Sequence, residues 1–265
     1  KSDGGTTYHL RDLATYIYRK NNFNFFKNIY FVDSRQEHHF KQLFAVLDKM
    51  GYSASHDSYL AKFGFMTLAG NTLSTRSGDI LKLSDMVLEV KNKAREVLAQ
   101  KGRGEVQEET VKAVALSAIK FFEFAHERTS DIDFTWDKVL SFEGKTGVYM
   151  LYGLARLRSI IRKAQAQNIK PVYTEAEAEL DITLGHLIGV TNDEIIRAGS
   201  ELSTHIIADH AYKLVSVVNS WYDQFPIIKE VDAKKQAHRL AVIVAVEKTV
   251  ATLLDLMGIE TVEEL

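Results

Sequence analysis

The rhythm of apolar and polar positions changes along this chain. From residue 1 to about residue 83, short apolar runs alternate with amphipathic stretches. In "DLATYIYRK", Leu13, Tyr16 and Ile17 share one helical face. "NIYFVD" (Asn28 to Asp33) is β-branched and aromatic with polar flanks, which predicts a buried strand. "EHHFKQLFAVLDKMG" returns to helical spacing through Phe40, Leu43, Phe44 and Leu47, with Gly51 placed as a stop. Strand alternating with helix predicts a parallel, Rossmann-like sheet. "FGFMTLAGNTLST" predicts two short strands around a Gly-Asn turn. Ser84 is the expected N-cap of the helix "SDMVLEVKNKAREVLAQ", and "QKGRGE" breaks that helix at Gly102 and Gly104.

From Glu108 onward the apolar spacing is helical almost throughout. "EETVKAVALSAIKFFEFAHE" repeats apolar residues at three and four. The stretch from Thr191 to Gln224 opens with Thr191 as N-cap and Glu194 three later, a capping box. "AKKQAHRLAVIVAVEKTVATLLDLMG" ends on Gly258 as a C-terminal stop. Pro171 and Pro226, the only prolines, fall between helices. The pattern predicts an α/β part over residues 1–105, connecting helices over 106–142 and an all-α bundle over 143–265.

Composition narrows the function classes. The 265 residues are 46% hydrophobic and 26% charged, ordinary for a soluble globular protein. The longest apolar run, "LAVIVAV", is far too short for a membrane span, and no secretory signal is expected. With no cysteine, disulfides and thiolate metal sites are excluded. The absence of an Asn-x-Ser/Thr acceptor agrees with an intracellular location. A net charge of −2 means that any nucleic-acid surface must come from local segregation of charge.

Several clusters carry candidate chemistry. In "GGTTYHLRD", Tyr8 and Asp12 lie four apart at the entry to a helix, where a phenol and a carboxylate can accept from a guanidinium. The alternative is that Asp12 caps the helix and Tyr8 packs. Gln36 and His39 follow the strand at its carboxyl end, the side on which open α/β sheets bind ligands. Adjacent His38 and His39 diverge on a helix and lack a third ligand, so no metal is expected. "LSTRSGD" offers backbone N–H groups and Arg76 to a phosphate, or is simply a hairpin exit. "SDIDFTWD", with Asp131, Asp133 and Asp137, lacks the spacing of a calcium loop and reads as a turn before a helix. In "SFEGKTGVYMLYGLARLRSI", Tyr149, Tyr152 and Arg156 share a helix face; Arg158, Arg162, Lys163 and Lys170 continue a basic run. These residues, with Trp221 and Tyr222, either stack bases and grip phosphates or divide between core and solvent.

Taken in order, these segments resemble the arginyl-tRNA synthetases, class I aminoacyl-tRNA ligases. "SDGGTTYHLRD" is similar to the family's "DGT-x-LY-x-TRD", and "IYFVDSRQEHHF" to its strand and "Q-x-x-H" helix start. "FGFMTLAGNTLSTRSG" resembles the "FG…MSTRKG" version of the KMSKS loop, and "EGKTGVYMLYGLARLRSI" the junction "EG-x-TGPYLQYAHARLRSI". "LDLMGIETVEEL" is similar to the family's ending.

The resemblance implies a C-terminal portion of a synthetase. Residues 1–105 would be the end of the Rossmann-like catalytic domain with its KMSKS-like loop, and 143–265 a DALR-type anticodon-binding domain. It places Tyr8, Asp12 and Gln36 at the arginine side chain, and His39, Ser74, Thr75, Arg76 and Gly78 at ATP. Tyr149, Tyr152, Arg156, Arg158, Arg162, Tyr222 and Leu265 would meet tRNA. The implied activity is ATP-dependent charging of tRNA with arginine through an arginyl-adenylate. The resemblance further implies ATP with Mg2+ as co-substrate, no tightly bound cofactor, and a monomer of the cytoplasm, with the mitochondrial matrix as the alternative. Three departures stand out: the HIGH element is not in this sequence, Ser77 replaces a frequent lysine, and Gly153 and Leu154 replace Ala-His. The alternative function is a non-catalytic tRNA-binding or scaffold protein derived from such a synthetase.

Overall fold

The computed structural model describes residues 4–68, 71–72, 82–100, 107–176 and 178–265. The chain divides into two compact units, Lys1–Met66 with Arg128–Ile132, and Thr67–Glu127 with Asp133–Leu265.

The first unit is organised on a parallel strand pair. β1 (Asn28–Asp33) lies beside β2 (Ser58–Phe63) in a register running from Asn28↔Ser58 to Asp33↔Phe63. α1 (Tyr8–Asn22) precedes β1. A 3-10 turn (Ser34–Gln36), α2 (Glu37–Lys49) and the short α3 (Ala54–Asp57) carry the chain from β1 to β2. This is a strand–helix–parallel strand passage of the kind the alternation predicts, with β2 a strand that the sequence pattern does not announce. Tyr16, Tyr30, Phe40, Leu43, Leu47 and Ala54 form its core, so α1 and α2 both bury the faces their spacing predicts. Gly51, at φ +90°, ends α2 in a conformation that side chains disfavour. Lys62 reaches from β2 to Glu37, which also pairs with Lys41, both at 2.9 Å. Hydrogen bonds from Lys41 and Lys62 hold the Glu37 carboxyl down to about 2.

In the second unit β3 (Met66–Leu68) pairs antiparallel with β4 (Asn71–Thr72), and β5 (Ile132–Phe134) completes the order β4-β3-β5. Asn71 is therefore in a strand, paired with Leu68, and the expected Gly-Asn turn is corrected accordingly. The segment expected as a plain turn before a helix contains β5, which pairs with β3: the Ile132 N–H donates to the Phe65 carbonyl at 2.8 Å, and beside it the Thr67 hydroxyl donates to the Asp133 carboxylate at 2.6 Å. α4 (Leu83–Gln100) begins one residue before Ser84, which is thus inside the first turn and not the N-cap. Its hydroxyl donates to the adjacent Asp85 carboxylate. Gly102, Gly104 and the loop from Ser74 to Gly78 lie outside the described residues.

The rest is helical: α5 (Glu108–Phe124), α6 (Trp136–Val139), α7 (Gly147–Ala166), α8 (Glu179–Gly189), α9 (Thr191–Glu201), α10 (His205–Gln224) and α11 (Ala233–Leu256). α7 packs against α5, α10 and α11, and its fully buried Met150, Leu151 and Leu154 form the centre of the bundle. Thr146 caps it, accepting from the Tyr149 N–H at 3.1 Å. Leu154 and Gly153 suit this packing, since a Cβ on Gly153 would stand 2.5 Å from Val215 Cγ1. The expected capping box at Thr191 is not formed. Val190 is in a helical conformation, so α8 runs almost directly into α9. Thr191 instead donates back to the Leu187 carbonyl at 3.0 Å and meets His210 Nε2 at 2.9 Å. Burial pushes the His210 imidazole below its ordinary value, against an opposing pull from Glu194. Among the described residues no helix is long and apolar enough to cross a membrane.

Close approach of α7 to α5 depends on Gly147, where an added Cβ would lie 2.2 Å from the Ser117 carbonyl oxygen. Backbone cannot yield as a flexible side chain does. Gly147→Ala is expected to cost about 1–3 kcal/mol through forced separation of the helices. Chemical denaturation read by helical circular dichroism measures it; an unchanged midpoint would show that the contact relaxes freely.

Candidate arginine and tRNA sites

In the first unit α1 and α2 bring Asp12 and His39 together, although 27 residues separate them. His39 Nε2 lies 2.7 Å from Asp12 Oδ2, with the imidazole 11% exposed and the carboxylate 36% exposed. Asp12 is the fifth residue of α1, whose N-cap is Thr7, so the helix-cap alternative for Asp12 is excluded. The Tyr8 ring stands 4.9 Å from His39, and the His9 ring 4.4 Å from it. Gln36 is exposed at the end of the 3-10 turn, one helical turn before His39, and no contact joins it to Asp12. The structure thus assembles Tyr8, Asp12 and His39 at the strand's carboxyl end and leaves Gln36 at the rim. His39 engages the same carboxylate that the sequence reading assigned to arginine, a pairing no local spacing announces. His38 is exposed and diverges from it. Among the described residues no group of three or more His, Asp or Glu side chains is placed to hold a metal ion. Ser74, Thr75, Arg76 and Gly78 lie outside the described residues.

In the second unit a cavity of about 380 Å³ opens beside α7. Tyr152, Arg156, Arg162, Tyr222 and Leu265 all line it, five of the seven residues expected to meet tRNA. Tyr152 is 44% exposed, and the Arg156 guanidinium lies 5.2 Å from the centre of the Tyr222 ring. Arg156 pairs with Asp223 at 3.0 Å, but both side chains are substantially exposed. Lys163, already part of the basic run weighed for phosphate contact, also lines this cavity, at helical spacing from Tyr152, Arg156 and Ser159.

The remaining two expected residues point to structural tasks. Tyr149 Oη accepts from Asn219 at 3.1 Å, and its ring lies 5.7 Å from Tyr212. Arg158, only 16% exposed, pairs with Glu247 at 2.8 Å. Trp221 is 1% exposed, with its indole N–H on Asp181, so it cannot stack a base. Acid-free in sequence, the basic run is nevertheless met in space by Asp223, Glu247, Glu263 and Glu264.

An α/β unit with a carboxylate at the strand end, followed by a helical bundle with an aromatic and arginine-lined cleft, is the makeup of a class I aminoacyl-tRNA synthetase. Residues 1–136 match the family described as tRNA synthetases class I (R), catalytic domain, and residues 150–265 the DALR anticodon binding domain. The chain belongs to the arginine-specific class I tRNA synthetase family.

Among curated relatives it is 36% identical over 267 residues to the arginine–tRNA ligase of Halothermothrix orenii, covering 100% of this chain and 47% of the relative. It is 37% identical over 271 residues to that of Lactococcus lactis subsp. cremoris, again covering 100% and 47%. The chain therefore spans about half the length of the curated relatives it matches. Its fold is similar to that of Thermus thermophilus arginyl-tRNA synthetase, with a TM-score of 0.85 and 24% identity over 100% of this chain and 50% of that one. The Plasmodium falciparum enzyme gives a TM-score of 0.83 and 24% identity, covering 100% and 46%.

Proposed function

We propose that this chain supplies the arginine pocket, the ATP loop and the anticodon-binding domain of an arginine–tRNA ligase. Residues 1–105 serve the catalytic side and 143–265 the tRNA. In this reading the enzyme activates arginine with ATP and Mg2+ to an arginyl-adenylate and transfers it to tRNA. It works as a monomer in the cytoplasm. The observation that carries it is the Asp12 carboxylate, held on one oxygen by His39 and flanked by Tyr8. Such a carboxylate keeps Oδ1 for one arm of a guanidinium, in keeping with the arginine site that the family resemblance implies. Gln36 at the rim adds a neutral polar group. Ser74, Thr75, Arg76 and Gly78 would close on the nucleotide. Tyr152, Arg156, Tyr222 and Leu265 would receive an anticodon base by stacking and charge.

One observation favours a second reading, a tRNA-binding protein without catalysis: Ser77 stands where the family often has lysine, which removes a cation from the loop. Arginine-dependent ATP–pyrophosphate exchange by the full-length protein decides between them. Exchange that requires arginine and is not supported by lysine is expected. No exchange, with tRNA binding retained, would establish the second reading.

A further inference from the structure

Arg156 and Arg158 stand two apart on α7, and sequence alone gives them one role. Their surroundings separate them. Arg156 is 35% exposed; it donates to the neutral Asn219 side chain at 3.2 Å, and its charged partner, Asp223, is 68% exposed, a surface pair that water and salt loosen readily. Arg158 and Glu247 are both 16% exposed. Arg158 Nε donates to Glu247 at 2.8 Å, and Nη1 donates to the Val262 carbonyl and to Glu263, both at 3.0 Å. Turning this guanidinium outward to a phosphate would strip the largely buried Glu247 of its cation, an unfavourable exchange.

Two of the three groups it holds, the Val262 carbonyl and Glu263, lie beyond α11. Beyond α11, Met257 and Ile259 are buried, and Arg162 donates to the Glu263 carbonyl at 3.2 Å and to Glu264 at 2.9 Å. This strap separates two cavities. Glu264, Leu265 and Tyr152 line both the 380 Å³ cavity and a neighbouring one of about 820 Å³. Leu265 lines the cleft with Arg156 and Tyr222 at the end of this strap, which Arg158 and Arg162 tie to α7.

The geometry points to Arg158 as a positioning residue: through Glu247, Val262 and Glu263 it fixes the C-terminal strap that walls the tRNA cleft, and it does not itself meet phosphate. This rests on the anticodon-binding reading of the cleft. Arg158 therefore contributes to affinity through where Leu265 stands, and Arg156 contributes through charge.

The test measures binding of a fluorescent arginine-acceptor tRNA transcript to the full chain over a series of salt concentrations. Arg156→Ala is expected to lower the salt slope by about 1, the signature of one lost phosphate contact. Arg158→Ala is expected to weaken binding by roughly 5- to 150-fold, the size of one lost base contact, with the slope unchanged. Arg158→Lys should lose nearly as much, because an ammonium cannot fork between Glu247 and the Val262 carbonyl. Removing residues 262–265 leaves the Arg158–Glu247 pair intact and so guards against misfolding. It should reproduce the Arg158→Ala loss, and the two changes combined should not add. A slope reduced by Arg158→Ala, full rescue by lysine, or wild-type binding by the shortened chain would overturn the proposal. Failure of the wild-type chain to bind tRNA would overturn the cleft reading itself, and the proposal with it.

Discussion

In the full-length protein Asp12→Asn is expected to raise the arginine concentration needed for half-maximal pyrophosphate exchange by about two orders of magnitude. The substitution keeps the shape of the side chain, and its amide oxygen can still accept from His39, so the contact between α1 and α2 survives. What goes is the negative charge facing the guanidinium. A charge-assisted pair that loses one partner in a buried site costs about 3–5 kcal/mol. At 36% exposure the Asp12 carboxylate is partly solvated, which places the loss at the lower end. About 1.4 kcal/mol per tenfold makes that about a hundredfold. Tyr8→Phe removes one neutral hydrogen bond and should cost about 0.5–1.5 kcal/mol. Tyr8 is 62% exposed, so water replaces part of what is lost. Lysine should not substitute for arginine in the wild type: with Oδ2 held by His39, the planar guanidinium donates to Oδ1 with one arm and to the Tyr8 hydroxyl with another, a span that a compact ammonium does not cover. Wild-type behaviour of Asp12→Asn would move the arginine pocket elsewhere and leave the Asp12–His39 pair as a tie between two helices.

The elements legible in the sequence are those specified by local pattern. β1 and α2 stand where an aromatic run and a three-four spacing put them, because each is read from adjacent residues. β2 went unrecognised. "SYLAKF" carries Lys62 in its middle and is a strand by virtue of pairing with β1, a fact about residues 30 positions away. Lys62 fits there by reaching Glu37 with its ammonium while its stem lies along the sheet. Thr191 shows the opposite failure. Its local signal for a helix start is strong, but α8 delivers the chain already helical, leaving no extended residue to act as a cap. The site divides in the same way. Tyr152, Arg156 and Lys163 are found by helical spacing along α7. The inward commitment of Arg158 is set by Glu247, 89 residues on, and the exposed Arg162 is paired by Glu264, 102 residues on. Charge counted along a chain cannot show which cations are already neutralised in space.

Asp181→Ala is expected to produce the largest loss of stability in the helical unit. The Asp181 carboxylate is 4% exposed and accepts from the Trp221 indole and, at 3.1 Å, from the Ala178 N–H that opens α8. His238 Nε2 lies 3.6 Å away, and His238 Nδ1 accepts from the Thr174 N–H at 3.3 Å. Nε2 faces the carboxylate at a distance too long for a hydrogen bond. One acid thus ties α10 to the start of α8, with His238 of α11 packed beside it. Alanine there orphans the buried Trp221 indole N–H and the part-buried Ala178 N–H, at about 1–3 kcal/mol each. For a domain of this size roughly 2–4 °C follows each kcal/mol, so a fall in Tm of roughly ten degrees is expected. Asp181→Asn retains one acceptor and should lose less. The cluster also reaches the cleft, because Trp221 turned inward fixes the rotation of α10 and so presents the adjacent Tyr222 to Arg156. Asp181→Ala should then weaken tRNA binding even well below its own Tm. Thermal unfolding by circular dichroism, with tRNA binding at 15–20 °C, reads both consequences. A Tm within a degree or two of wild type would mean that Trp221 is held by packing alone and that the carboxylate is dispensable.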